Sequence, residues 1–192
     1  MKLAALAVLG VVVVACGNSP TASANPDAAH LSTTVRELRE GQVVDSVPCL
    51  GADLPEHHIH VHLAVYDDGV LVTVPAGIGV GRPWGFDATG FLATGSCFAW
   101  MHTHDTTGVI HIVTPQQRLF TLGQLFEIWG QPLTAAGVFN YQGAPTVLVD
   151  GRRYSGDPRV LGMSAFENIV LELGKRPAAA PASIYDFGSL SR

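Results

Sequence analysis

Lysine is almost missing from this chain: of 192 residues only Lys2 and Lys175 are lysine, and charged residues of all kinds make up 14%. With a formal net charge of -5 the chain offers no basic surface, which argues against a nucleic-acid partner. Long apolar runs are scarce too. Leu3 to Val14, interrupted at Gly10, is the only one, so part of the mean hydropathy of +0.28 belongs to a leader rather than to a folded domain. The chain is too short for a complete (β/α)8 barrel, which excludes the barrel hydrolases that use an H-x-H metal motif. At 47% hydrophobic residues it is not a disordered chain either. Histidine is what the sequence has in excess: eight in all, seven of them between residues 57 and 62 or between 102 and 111.

The first residues read as an address. Met1-Lys2 supplies a positive start, and the dozen residues after it match a signal-peptide core, too short to cross a hydrocarbon layer of about 30 Å. Val13-Val14-Ala15-Cys16 resembles the bacterial lipobox, which implies cleavage after residue 15 and lipid on Cys16; an ordinary signal peptide or an anchor with a chance cysteine are the alternatives. On the lipoprotein reading residues 1–15 are the signal peptide and the mature net charge is about -6. Residues 16–34, rich in Ser, Thr, Ala, Asn and Pro, then form a flexible tether from the membrane, with His30 a solvated bystander. The chain is expected to be exported to the cell envelope and to meet the membrane through this lipid; the residues point to no particular protein partner.

Two cysteines remain, Cys49 and Cys97. In an exported chain they are disulfide candidates, and thiolate metal ligation is the rival reading. Cys97 lies five residues before His102, so a regular strand would turn it to the opposite face, which favours the disulfide.

Residues 35–176 read as one mainly β (α+β) domain, a single sandwich or partly open barrel with one packed amphipathic helix, followed by an exposed tail over 177–192. Thr34-Val35-Arg36-Glu37 fits a capping box, which predicts a short helix near residues 35–40. Residues 57–66 alternate and turn at Asp67-Asp68-Gly69 into a strand over 70–74. Residues 75–81, with Gly77, Gly79 and Gly81, form a loop that lacks dinucleotide-binding spacing. A second hairpin runs from 98–104 to 109–113. Thr121 and Gln124 make a second capping box, and Leu122, Leu125, Phe126 and Trp129 define one face of a helix that Gly130 ends. Strands follow over 138–141, 146–149 and 168–173.

Period two puts His58, His60 and His62 on one strand face and Ile59, Val61 and Leu63 on the other, with His57 at the strand mouth or on the apolar side. Histidines two apart lie roughly 6.5–7 Å from each other, close enough to share an ion, whereas His58 and His62 are about 13 Å apart. A hairpin register that pairs Asp105 with Gly108 also pairs His104 with Val109 and His102 with His111, so His102, His104 and His111 share a face. A slip of one residue would break this arrangement. Asp105 could cap the turn, ligate an ion or orient an imidazole, and His57 could serve beside the ligands. Clustered neutral imidazoles suit copper or zinc, with iron possible. A polar sheet face and a proton sensor near pH 6 are the competing readings.

Named chemistries fail on detail. His102-Thr103-His104-Asp105-Thr106 has Thr106 where a metallo-β-lactamase needs Asp, the carboxylate after His58-Ile59-His60 is misplaced for a cupin, and neither cluster supplies the H-x-D/E of a non-haem iron site. No G-x-S-x-G is present, the 122/125/126/129 stripe reads as core, and Glu127 lies off it.

Residues 57–63 (HHIHVHL), 74–79 (VPAGIG), 101–111 (MHTHDTTGVIH) and 120–133 (FTLGQLFEIWGQPL) together resemble a group of exported bacterial proteins of unassigned activity. Its members carry H-x-H-x-H-L, H-T-H-D-x-S/T-G-x-I-H and L-G-x-F-F-x-I-W-G. The likeness spans roughly residues 49–135 and, more loosely, Tyr185-Asp186-Phe187, with Met101 and Leu125 as departures. It implies that both histidine runs belong to one site and leaves the metal open. Three functions compete: a tethered metal-binding or sequestration module, an enzyme using the same ion with Asp105 or Glu127 nearby, and a metal-free domain whose histidines respond to pH.

Overall fold

Alternating strands and tight turns with left-handed residues build a seven-stranded mixed sheet. The computed structural model describes residues 34–51, 56–175 and 185–190; the leader, Cys16, the tether through residue 33 with His30, and residues 176–184 of the tail lie outside them. Its longest strand is β1 (His57–Asp67), which turns at Asp68-Gly69 into β2 (Val70–Val72). β3 (Met101–His102) and β4 (Val109–Thr114) are antiparallel neighbours, and β5 (Thr146–Val149) turns at Asp150-Gly151 into β6 (Arg152–Tyr154). Both two-residue turns have positive φ at each position, the geometry that matches the twist of paired strands. With β7 (Asn168–Leu173) the sheet order is β6-β5-β7-β1-β4-β3, and β2 pairs with the far end of β1. β7 runs parallel to β1, and every other pair is antiparallel.

The domain is mainly β, as the sequence predicts, with several sheets, one α-helix among the described residues and no closed barrel. The helix α1 (Leu122–Trp129) has both halves of its capping box, Thr121 to the Gln124 backbone and Gln124 to the Thr121 backbone, and ends on Gly130 at φ 81. Leu122, Leu125, Phe126 and Trp129 are buried in the same apolar cluster as Val61 and Leu63 of β1 and Ile110 and Ile112 of β4. The core thus occupies one face of the β1-β4 pair and leaves its other face to the histidines.

Cys49 and Cys97 form a disulfide, with Sγ atoms 2.06 Å apart and Cα atoms 5.4 Å apart, which settles them as a cross-link rather than thiolate ligands. It ties the buried strand Val47–Leu50 to the segment that leads into β3. Because it closes a separation of 48 residues, the Cys97→Ser chain is expected to lose about 3–4 kcal/mol of stability, measurable by denaturant unfolding.

Several expectations need correcting. No helix forms near residues 35–40: the Arg36 N–H instead bonds the Trp129 carbonyl at 2.8 Å, and Gln131 Nε2 donates to the Thr34 carbonyl at 2.7 Å. That segment satisfies the end of α1 instead of coiling on itself. The strand expected over 138–141 is two short strands, Gly137–Val138 and Tyr141–Gln142, divided by a turn with Phe139 at φ 54. Finally, within the stretch expected to be an exposed tail, Tyr185 and Phe187 pack onto the domain while Asp186 and Gly188 stay exposed. Phe187 is buried against Phe166, and the Tyr185 N–H donates to Asn168 Oδ1 at 2.6 Å.

Candidate metal centre

Three strands carry the histidines into one row. His60 of β1 lies directly opposite His111 of β4, and His111 lies directly opposite His102 of β3. The predicted His102–His111 pairing forms. The predicted His104–Val109 pairing does not, because β3 ends at His102 and the chain then exchanges partners. The Thr103 N–H bonds the Ile78 carbonyl, and the His104 carbonyl accepts from the Leu92 N–H at 2.8 Å. His104 nonetheless reaches the same face, with its ring 4.7 Å from that of His102 and 4.6 Å from that of His111.

The Gly77–Gly81 loop explains its glycines here. Gly79 sits at φ +74 with its backbone pressed on the Met101 carbonyl and the His102 Cβ, where a side chain would collide. The loop is a backing for β3.

Among the described residues two groups of histidines could hold a metal ion: His58, His60 and His111, and His102, His104 and His111. In each, one nitrogen per ring lies within 4.8 Å of the others. The second group is buried throughout, and His102 is fully enclosed. His102 Nδ1 faces the Ala99 carbonyl at 2.8 Å, and His104 Nδ1 faces the Leu92 carbonyl at 2.5 Å. A carbonyl only accepts, so both Nδ1 atoms carry the proton and both Nε2 atoms present lone pairs. Those two Nε2 atoms are 3.0 Å apart. Neutral rings held this way repel unless a cation lies between them. Nitrogens at about 2.0–2.1 Å from a tetrahedral zinc stand roughly 3.3 Å apart, close to the separation seen.

Protonation of His102 and His111 is disfavoured. Burial first, then the neighbouring His104, pushes the His102 pKa down to about 3. Burial and the four surrounding rings, His102 and His104 before His60 and His58, push His111 down to about 2. His60 is lowered by burial and His58, while a hydrogen bond to the Leu190 backbone works the other way. Phe91 stacks on His104 with ring centres 4.2 Å apart, and Phe98 packs edge-on to His102 at 5.2 Å, so aromatic walls fix both rings.

The structure leaves some predicted site residues elsewhere. His62 stands apart from both groups: its Nε2 faces the Thr107 carbonyl at 3.0 Å, Tyr185 stacks on its ring at 4.6 Å, and burial lowers its pKa. It borders a cavity of about 340 Å³ with Tyr66, Val72, Thr107 and Tyr185, which touches none of the other six histidines of the two runs. His57 opens β1 opposite Thr114 and belongs to neither group. Asp105 caps its turn, accepting from the Thr107 N–H at 2.9 Å and the Thr107 hydroxyl at 2.5 Å. Glu127 pairs with Arg159 at 2.9 Å on the helix side. The residues that sequence reasoning misses are the carbonyls of Leu92 and Ala99 and the rings of Phe91 and Phe98. Backbone carbonyls leave no mark in a sequence, Phe98 reads as an ordinary strand residue, and Phe91 falls in none of the predicted elements.

No family model, curated protein or solved structure matches this chain. Among the described residues no helix is long and apolar enough to cross a membrane.

Proposed function

We propose that this protein is a membrane-tethered, envelope-facing β domain that binds a transition metal, copper or zinc, through His102, His104 and His111, with His58 and His60 beside them. The observation that carries this reading is the facing pair of Nε2 atoms, 3.0 Å apart, on two rings whose Nδ1 atoms are both spent on carbonyls. A carbonyl acceptor on the far nitrogen is how proteins fix the tautomer and aim of a metal-bound histidine. Three neutral imidazoles also accept a divalent ion without burying surplus negative charge. Lipid on Cys16 and the tether after it would hold the domain at the envelope surface, where it sequesters the ion, buffers it or passes it on.

Metal analysis of the purified full chain after reconstitution tests this reading. At least about one equivalent of zinc or copper is expected, and less than about 0.1 equivalent overturns it. A chain that stays metal-free yet changes partner binding between pH 7 and pH 5 would be the pH-responsive domain instead.

A further inference from the structure

We propose that the histidine cluster holds two ions rather than one, with the His111 ring as the ligand they share. The inference rests on the metal-binding reading above and extends it. The two groups that could hold an ion use five rings, and His111 is the member common to both. It earns that position from the sheet: β4 lies between β1 and β3, so His111 has His60 across one ladder and His102 across the other. Its Nδ1 lies 3.1 Å from His58 Nε2. With Nδ1 turned to the outer group, the ring's other nitrogen is the one left for the inner pair.

One ion does not account for the whole arrangement. Zinc and copper sites built from imidazole are commonly four-coordinate, so a single sphere does not take five rings. Two spheres of three rings each, sharing one, use all five and leave each ion an open position. Sharing also answers the charge problem. A ring that binds through both nitrogens gives up its remaining N–H proton to solvent and becomes an imidazolate, and its negative charge lies between the two cations. No electron is transferred in this step.

The two positions differ in access. His102, His104 and His111 are buried, whereas His58 is exposed. The inner ion is therefore expected to be retained and the outer one to exchange with solvent or with a partner, which suits a domain that stores one ion and trades the other.

Titration of the metal-free full chain with Zn(II), followed by calorimetry and elemental analysis, is expected to give two equivalents. Because His58 is exposed, the His58→Ala chain should fold normally and keep one. Loading with Cu(II) gives the more specific readout. Two coppers on one imidazolate couple their spins, so the resonance signal of the doubly loaded chain should fall well below two spins. The His58→Ala chain should instead give one full isolated spin. One equivalent in both chains overturns the shared-ring proposal and leaves the single-ion reading standing. Two equivalents with full two-spin intensity also overturn it, because the ions are then independent. No bound metal in the parent chain overturns both.

Discussion

The His102→Ala chain is expected to bind zinc or copper at the buried His102/His104/His111 site more than about 100-fold less tightly than the parent. Loss of a partner behind a ligand already costs about 10–100-fold, and here the ligand itself is removed. The variant leaves His104 Nε2 facing a void, with no second nitrogen at 3.0 Å. The same change separates binding from folding. In the parent chain a saturating ion raises the melting temperature, since a ligand at 100 times its Kd adds about 2.7 kcal/mol. In His102→Ala the part of that increment due to the buried ion should vanish, while the Cys49–Cys97 cross-link and the core around Trp129 stay intact. Calorimetric titration and thermal melts with and without metal check both halves. An equal metal-induced shift in the two chains would exclude His102 as a ligand.

Acid is expected to weaken the metal-free domain steeply. His102 and His111 titrate in the folded state at about 3 and about 2, against about 6.5 when unfolded. Their folded pKa values are depressed, so the stabilising contribution of the neutral form is present above the unfolded pKa. It is lost as pH falls from about 6.5 toward the folded values. From pH 7 to pH 5 the unfolded chain gains protons that the folded chain refuses, which costs about 2 kcal/mol for each of the two rings. Burial also lowers His60 and His62, which adds in the same direction. Denaturant unfolding at pH 7, 6 and 5 should show the midpoint falling, and a double His102→Leu, His111→Leu chain should show a much flatter dependence. Bound metal is expected to leave over the same interval, because protons compete for the same nitrogens.

The sequence made the two histidine strands legible because period two and turn spacing are local. His58 and His60 share a face by alternation alone, and a four-residue turn was enough to set His102 opposite His111. The capping box of α1 was legible for the same reason. The identical reasoning failed at Thr34-Val35-Arg36-Glu37, where a distant acceptor, the Trp129 carbonyl, claims an N–H that a helix would have left free. Parity alone did not show that His62 would stand apart from both groups. At that residue β1 passes from its ladder with β4 to its ladder with β7, and Tyr185, more than a hundred residues away, stacks on the ring. His104 reached its place by another route than the hairpin register, since Leu92 takes both its backbone and its Nδ1. What could not be read were contacts made by backbone atoms and by segments remote in the chain.

X-ray absorption at the metal edge of the loaded full chain tests the central claim most directly. The account predicts a first shell dominated by nitrogen at about 2.0–2.1 Å for zinc, with the outer-shell scattering of about three imidazole rings per ion. That scattering should weaken in His104→Ala. A shell of oxygen atoms without imidazole scattering, or a spectrum unchanged by removal of His104, would contradict it.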